Sequence, residues 1–273
     1  MGMNNILFKI LVENVKKLGN PIWSDDTITE KDKETLKKEA NDTSAFDKFN
    51  LKKEMIENTS ATYVVKKCPF GRIIILTENP NEFYPWATWG RILEWFGAYY
   101  QIYLYSSKKE RILPAQEGKQ EGKQEVGAEH VNGGYTYPCR HDCIVIYRYE
   151  EATRVMIHEL LHASCTDNMK NSVEIREAAT ETWAEFILVS ILSKGNFTKV
   201  KQLWLLQDHH IQDLNYTLYN FYNVKTINDY ASRYTILREK VLESFGFTLD
   251  SNYKAKLIKS SRFTSKDLDR YLE

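Results

Sequence analysis

The stretch that most narrows what this chain can fold into is EATRVMIHELLHAS, residues 151–164, which contains neither glycine nor proline. Val155, Met156, Ile157, Leu160, Leu161 and Ala163 give a helix over this span a mostly apolar surface. At 3.6 residues per turn, His158 and His162 project from one face, one turn apart. Two imidazoles so placed reach a single tetrahedral zinc with bonds of about 2.0–2.1 Å. Glu159 is turned by about 100° around the axis. That is too far round for a third ligand, yet near enough to take a proton from an attacking water. Taken alone, the same residues also suit an ordinary amphipathic helix whose histidines cap or hydrogen-bond.

A second helical run, NSVEIREAATETWAEFILVSIL at 171–192, supplies context. Asn171 is expected as its N-cap, with Glu174 three residues on. Glu177, Glu181 and Glu185 recur at four-residue spacing and form one stripe beside Ala178, Ala179, Trp183, Phe186 and Ile187. Either this stripe is the solvated edge of an amphipathic helix, or the carboxylates are buried. Burial is costly unless a positive group neutralises them, and a metal with its histidine shell would do so. A catalytic zinc also needs a third protein ligand and an open fourth position, which this helix can complete.

HELLH followed by EAATE resembles the gluzincin metallopeptidases, the thermolysin-like zincins, whose HExxH motif precedes a second helix carrying E-A-x-x-D/E. The resemblance implies one catalytic Zn2+ held by His158, His162 and Glu177, with Glu159 as general base. It makes Glu181 the acid that orients a ligand imidazole. Fourteen residues lie between His162 and Glu177, fewer than is usual in that group. An alternative register makes Glu181 the third ligand, with Glu185 behind it. The resemblance also implies a zincin-like fold, a small mixed sheet packed by the HExxH helix and the following Glu-bearing helix. Over about residues 130–190, VNGGYTYPCRHDCIVIYRYEEATRVMIHELLH continuing into EAATETWAEF is similar to uncharacterised metallopeptidase-like proteins of giant DNA viruses. That likeness implies a viral origin more than a substrate.

Elsewhere the pattern alternates. Residues 24–60 are charge-rich and read as solvated helices; RIIILT (72–77), QIYLY (101–105) and CIVIY (143–147) read as strands, and WGRILEWFGAY (89–99) as a helix. The segment PAQEGKQEGKQEVGAEHVNGG, 114–134, is too polar to bury enough surface to fold alone and reads as a mobile surface insertion, its NGG as a turn. Beyond residue 171 the pattern is mostly helical. This predicts an α+β chain with a small central sheet and helical N- and C-terminal parts. Three consecutive regions are expected: 1–60 charged and helical, 61–170 with the sheet and the HExxH helix, and 171–273 helical and supplying the third ligand.

Lys and Arg total 37, as do Asp and Glu, which argues against a general polyanion binder, so no nucleic-acid partner is expected. No run approaches the roughly 18 apolar residues of a membrane span. The N-terminal MGMNNILFKILVENVKKLG has the order of an amphipathic helix, not of a secretory signal. Cys68, Cys139, Cys143 and Cys165 show no CxxC pair, which suggests a reduced, cytoplasmic or virion-associated setting. CRHDC (139–143) has poor spacing for a structural zinc and reads as buried thiols with a loop histidine, and Cys165 as a packing residue.

The expected activity is zinc-dependent hydrolysis of a protein or peptide substrate lying along the Cys143–Tyr147 strand. An oxyanion donor is needed as well, for which Tyr230, Tyr234, His209 and His210 are the candidates. Two other readings stay open: a non-catalytic zinc-binding virion or host-interaction protein on a zincin scaffold, and another zinc amidohydrolase with a small closed pocket. Nothing in the pattern sets an oligomeric state.

Overall fold

The run RIIILT lies at the heart of a sheet: every residue of Gly71–Thr77 is buried. A computed structural model provides the structure and describes residues 5–42, 45–115 and 125–273. In chain order its α-helices are α1 (Asn5–Val15), α2 (Glu30–Ala40), α3 (Leu51–Glu57), α4 (Trp86–Phe96), α5 (Ala128–Val131), α6 (Ala152–Ala163), α7 (Val173–Leu192), α8 (Phe197–Phe221) and α9 (Ile236–Ser244). The strands are β1 (Ser24–Asp25), β2 (Thr62–Cys68), β3 (Gly71–Thr77), β4 (Tyr100–Tyr105), β5 (Gly134–Thr136) and β6 (Ile144–Ile146). The protein is therefore mixed α and β, with an open, mixed sheet of six strands in the order β1-β2-β3-β4-β6-β5.

The chain divides into two compact units built from interleaved segments, 18–110 with 132–166, and 1–17 with 111–131 and 167–272. These cut across the three consecutive regions expected from the sequence. Of the polar insertion, residues 116–124 lie outside the described residues. Its later part is ordered: Val126, Ala128 and Val131 are buried, and Gly134 opens β5 instead of closing a turn.

The first unit holds the sheet. β3, β4 and β6 run parallel, while β2 and β5 are antiparallel to their neighbours. Side chains alternate between the two faces. Val65, Ile74, Leu76, Tyr103, Tyr105, Tyr135 and Val145 share a core with Leu36 and Ala40 of α2 and Leu51 and Met55 of α3. The opposite face carries Ile73, Ile75, Ile102, Leu104, Ile144 and Ile146, all at most 0% exposed. α6 packs there against β5 and β6, and α4 packs on α6. With helices on both faces, β3 reads as a continuous apolar run, not an alternating one.

The charge-rich 24–60 stretch is not simply solvated. Arg72 of β3 donates from Nη1 and Nη2 to the two Asp32 oxygens at 2.9 and 2.8 Å, and from Nε to Asp26 at 2.7 Å. Asp32 also closes the capping box of α2 with Thr29. One carboxylate thus starts the helix and fastens it to the sheet.

The second unit is helical: α7 packs on α1, α8 and α9. Phe8, Phe186, Trp204 and Phe247 form its aromatic centre, with ring centroids 4.7–5.7 Å apart.

Burial pushes the Asp32 carboxyl up, but the Arg72, Thr29 N–H and Thr29 hydroxyl hydrogen bonds outweigh it and hold it at about 2. A carboxyl with a depressed folded pKa stabilises above its unfolded value near 4, and that contribution is lost as pH falls toward 2. The gap corresponds to roughly 2 kcal/mol. Urea unfolding between pH 6 and pH 2.5 should show this loss in the native chain and a flatter pH dependence in Asp32→Asn.

Candidate metal centre

The HELLH segment forms α6 over Ala152–Ala163, and all twelve residues are buried. A helix buried all round belongs to a core, so the reading as an ordinary amphipathic surface helix fails. Its entry is pinned. Arg148, 1% exposed, donates to the carbonyls of Asn132 at 3.0 Å and Lys109 at 2.9 Å. Glu151 then turns the chain at φ 60° as the helix begins. Within α6, Thr153 accepts a 2.9 Å hydrogen bond from Trp89 of α4.

His158 and His162 are 7% and 8% exposed, and their Nε2 atoms lie 3.1 Å apart. Two ligand nitrogens of one tetrahedral zinc, at bond lengths of about 2.05 Å, are separated by about 3.3 Å. The residues present fit a zinc to within a few tenths of an ångström. Glu159, 5% exposed, sits beside Gly134 of β5. A Cβ at Gly134 would lie 2.7 Å from the Val145 carbonyl oxygen, 2.7 Å from Val155 Cγ1 and 3.4 Å from Glu159 Cγ. The strand can approach the helix this closely only because that residue has no side chain.

The far end of α6 is fastened covalently. Cys139, in the loop after β5, is disulfide-bonded to Cys165, two residues beyond the helix, with a Cα–Cα distance of 4.6 Å. The Cys139 N–H donates to the His162 carbonyl at 3.1 Å. This corrects the expectation that Cys139 is a buried thiol and Cys165 a packing residue. Both are exposed, and 26 residues separate them, a distance no local pattern reveals. Cys143 is a buried thiol, pushed up to about 12 by burial. His141 packs its ring 4.7 Å from that of Tyr100. CRHDC is not a second metal cluster.

The strand expected to receive substrate is also corrected. Ile144–Ile146 pairs with β4 on one side and β5 on the other, so it lies inside the sheet. β5 is the strand that ends the sheet on this side.

On α7 the N-cap is Ser172, one residue later than Asn171. Glu177 is half-buried, whereas Glu181 and Glu185 are 3% and 0% exposed. Glu185 accepts a 2.9 Å hydrogen bond from Arg238, itself 0% exposed, and Arg238 also donates to Asn215 at 3.1 Å. The positive group that neutralises Glu185 is therefore an arginine from α9, not a metal. His158, His162 and Glu177 supply one donor atom each of the types that hold a metal ion, the histidines from one unit and the carboxylate from the other; Glu181 is not grouped with them.

The four oxyanion candidates separate. His209 stacks on Tyr253 at 3.9 Å and lies 3.6 Å from Asp250, and the His210 ring is 2.9 Å from the Arg262 carbonyl, so both serve α8 packing. Tyr230 and Tyr234 occupy one 3₁₀ turn, Tyr230–Tyr234. Burial raises the Tyr234 phenol well above its ordinary value, and Tyr230 and Glu177 raise it further. No protein-family model, curated protein or solved structure matches this chain.

Removing one partner of a buried ion pair strands the other. Glu185→Gln should therefore destabilise the fold by about 3 kcal/mol, and Glu185→Leu with Arg238→Met by much less. Denaturant midpoints of the three proteins measure the difference.

Proposed function

We propose that the chain is a zinc-dependent peptidase of the zincin type, with His158, His162 and Glu177 as metal ligands. The observation that carries this reading is the 3.1 Å approach of the two Nε2 atoms in a buried helix, close to the ligand separation of tetrahedral zinc. The carboxylate that Glu177 adds in kind to the two histidine donors, and the acidic residue directly after His158, support it.

A bound zinc supplies a Lewis acid that polarises the scissile carbonyl and lowers the pKa of water. Glu159 accepts the proton of the attacking water and delivers it to the departing amine. Its 5% exposure keeps that exchange away from bulk solvent. Glu181, one helical turn beyond Glu177, is the acid that would orient a ligand imidazole. An extended substrate adds to β5, whose outer edge has no further strand in the sheet. Tyr234, kept protonated by burial, and Tyr230 beside it are the donors to the oxyanion.

Protein purified without added metal should carry one zinc per chain by elemental analysis. Glu159→Gln should keep that zinc and lose about 10²–10⁴ in turnover on a peptide library. His158→Ala should lose the metal. Glu177→Ala should weaken zinc binding more than Glu181→Ala, whose loss should be about 10–100-fold. A metal-free native protein that zinc does not activate rejects the reading.

A further inference from the structure

α7 begins beside a cavity of about 410 Å3, lined by Glu174, Ile175, Ile227, Tyr230, Arg233 and Leu237 among others. Its lining is mixed, with Ile175 and Ile227, 44% and 54% exposed, beside Ser172, Asn228 and Asp229. Its cationic group is Arg233, whose side chain is 15% exposed. The guanidinium is held against the Tyr230 ring, 4.4 Å from its centroid. The Glu174 carboxylate lies 4.0 Å away, an ion pair without a hydrogen bond. The Nε of Arg233 is buried and has no hydrogen-bond partner among the described residues. Asp229, also on the wall, uses its carboxylate to accept the N–H groups of Lys225 and Thr226 at 2.8 and 2.7 Å. Arg233 thus lines a cavity of mixed polar and apolar walls with its Nε unmatched by any hydrogen-bond acceptor among the described residues. A carboxylate is the group an arginine side chain pairs with best, through two parallel N–H bonds.

The cavity is built on the segments that carry Glu177 and Tyr234. Glu174 precedes Glu177 by three residues on α7, about 4.5 Å along the axis. Arg233 lies in the same 3₁₀ turn as Tyr230 and Tyr234, and Tyr234 feels the charge of Glu177.

We infer that this cavity is a specificity pocket in which Arg233 binds a substrate carboxylate, supplied by an acidic side chain or by the peptide C-terminus. As a statement about substrate it rests on the peptidase reading; as a statement about ligand binding it does not.

Two measurements on the full, zinc-loaded chain separate these parts. The first is cleavage of matched peptides differing only in Glu or Gln near the scissile bond, each with a free or amidated C-terminus. The native protein should favour the carboxylate-bearing member by about ten-fold in kcat/KM, through KM, and Arg233→Gln should bring that ratio near one. Arg233→Lys, which keeps the charge and loses the fork, should fall between them. A preference that follows the side chain identifies an acidic residue, and one abolished by amidation identifies the C-terminus. An unchanged ratio in Arg233→Gln overturns the proposal. The second measurement is binding of N-acetylglutamate against N-acetylglutamine, followed by NMR line shifts without turnover. Preferential binding of the former, lost in Arg233→Gln, with no peptide cleaved, would leave the pocket standing and reject the peptidase. Equal binding of the two rejects the pocket whether or not peptides are cleaved.

Discussion

Everything proposed for this protein depends on α6 being buried along its whole length while it carries two histidines and a glutamate. A helix in that position cannot satisfy its polar side chains with bulk water. It is also held at both ends. Arg148 fixes the carbonyls of the segments through which the chain enters, and Cys139 fixes the exit by a disulfide and an N–H bond to the His162 carbonyl. Restraint of this kind keeps two imidazole nitrogens at a constant separation, which a metal site requires. The missing side chain at Gly134 then lets β5 lie against Glu159, so the sheet edge and the acid share one place.

Burial of charge is common in this chain and is not by itself a sign of metal. Arg72 neutralises Asp32 and Asp26. Lys52, 1% exposed, donates to Tyr135 at 2.8 Å, and Tyr135 donates to Glu39 at 2.8 Å. Arg238 neutralises Glu185. In each case an ionic or phenolic partner from a distant segment closes the network. The histidine pair differs in kind. Two neutral imidazoles facing each other through Nε2 can share at most one hydrogen bond, in which one Nε2 donates and the other accepts. A cation bound by both Nε2 atoms would hold such a pair in the same geometry.

Arg233 differs from those arginines in the opposite direction. Arg72 spends its donors on carboxylates and a carbonyl, whereas Arg233 is supported by a ring and a carboxylate at 4.0 Å. The first is a structural clamp, the second a group held ready for a ligand.

Much was legible without coordinates. The absence of glycine and proline between Glu151 and Ser164, with apolar residues around the helix, determines α6 almost to the residue, and helical spacing alone puts His158 and His162 on one face. The β-branched runs determine β3 and β6 for a similarly local reason, since period and propensity act over a few residues. Long-range pairing was not legible. That Ile144–Ile146 is interior and β5 terminal, that Cys139 finds Cys165, and that Glu185 meets Arg238 are matters of which distant segments meet. Three glutamates at equal spacing look alike in sequence. Tertiary packing alone gave Glu185 an arginine and left Glu177 half-buried, because the burial and charge around a carboxylate are set by what lies across from it, not by its neighbours in the chain.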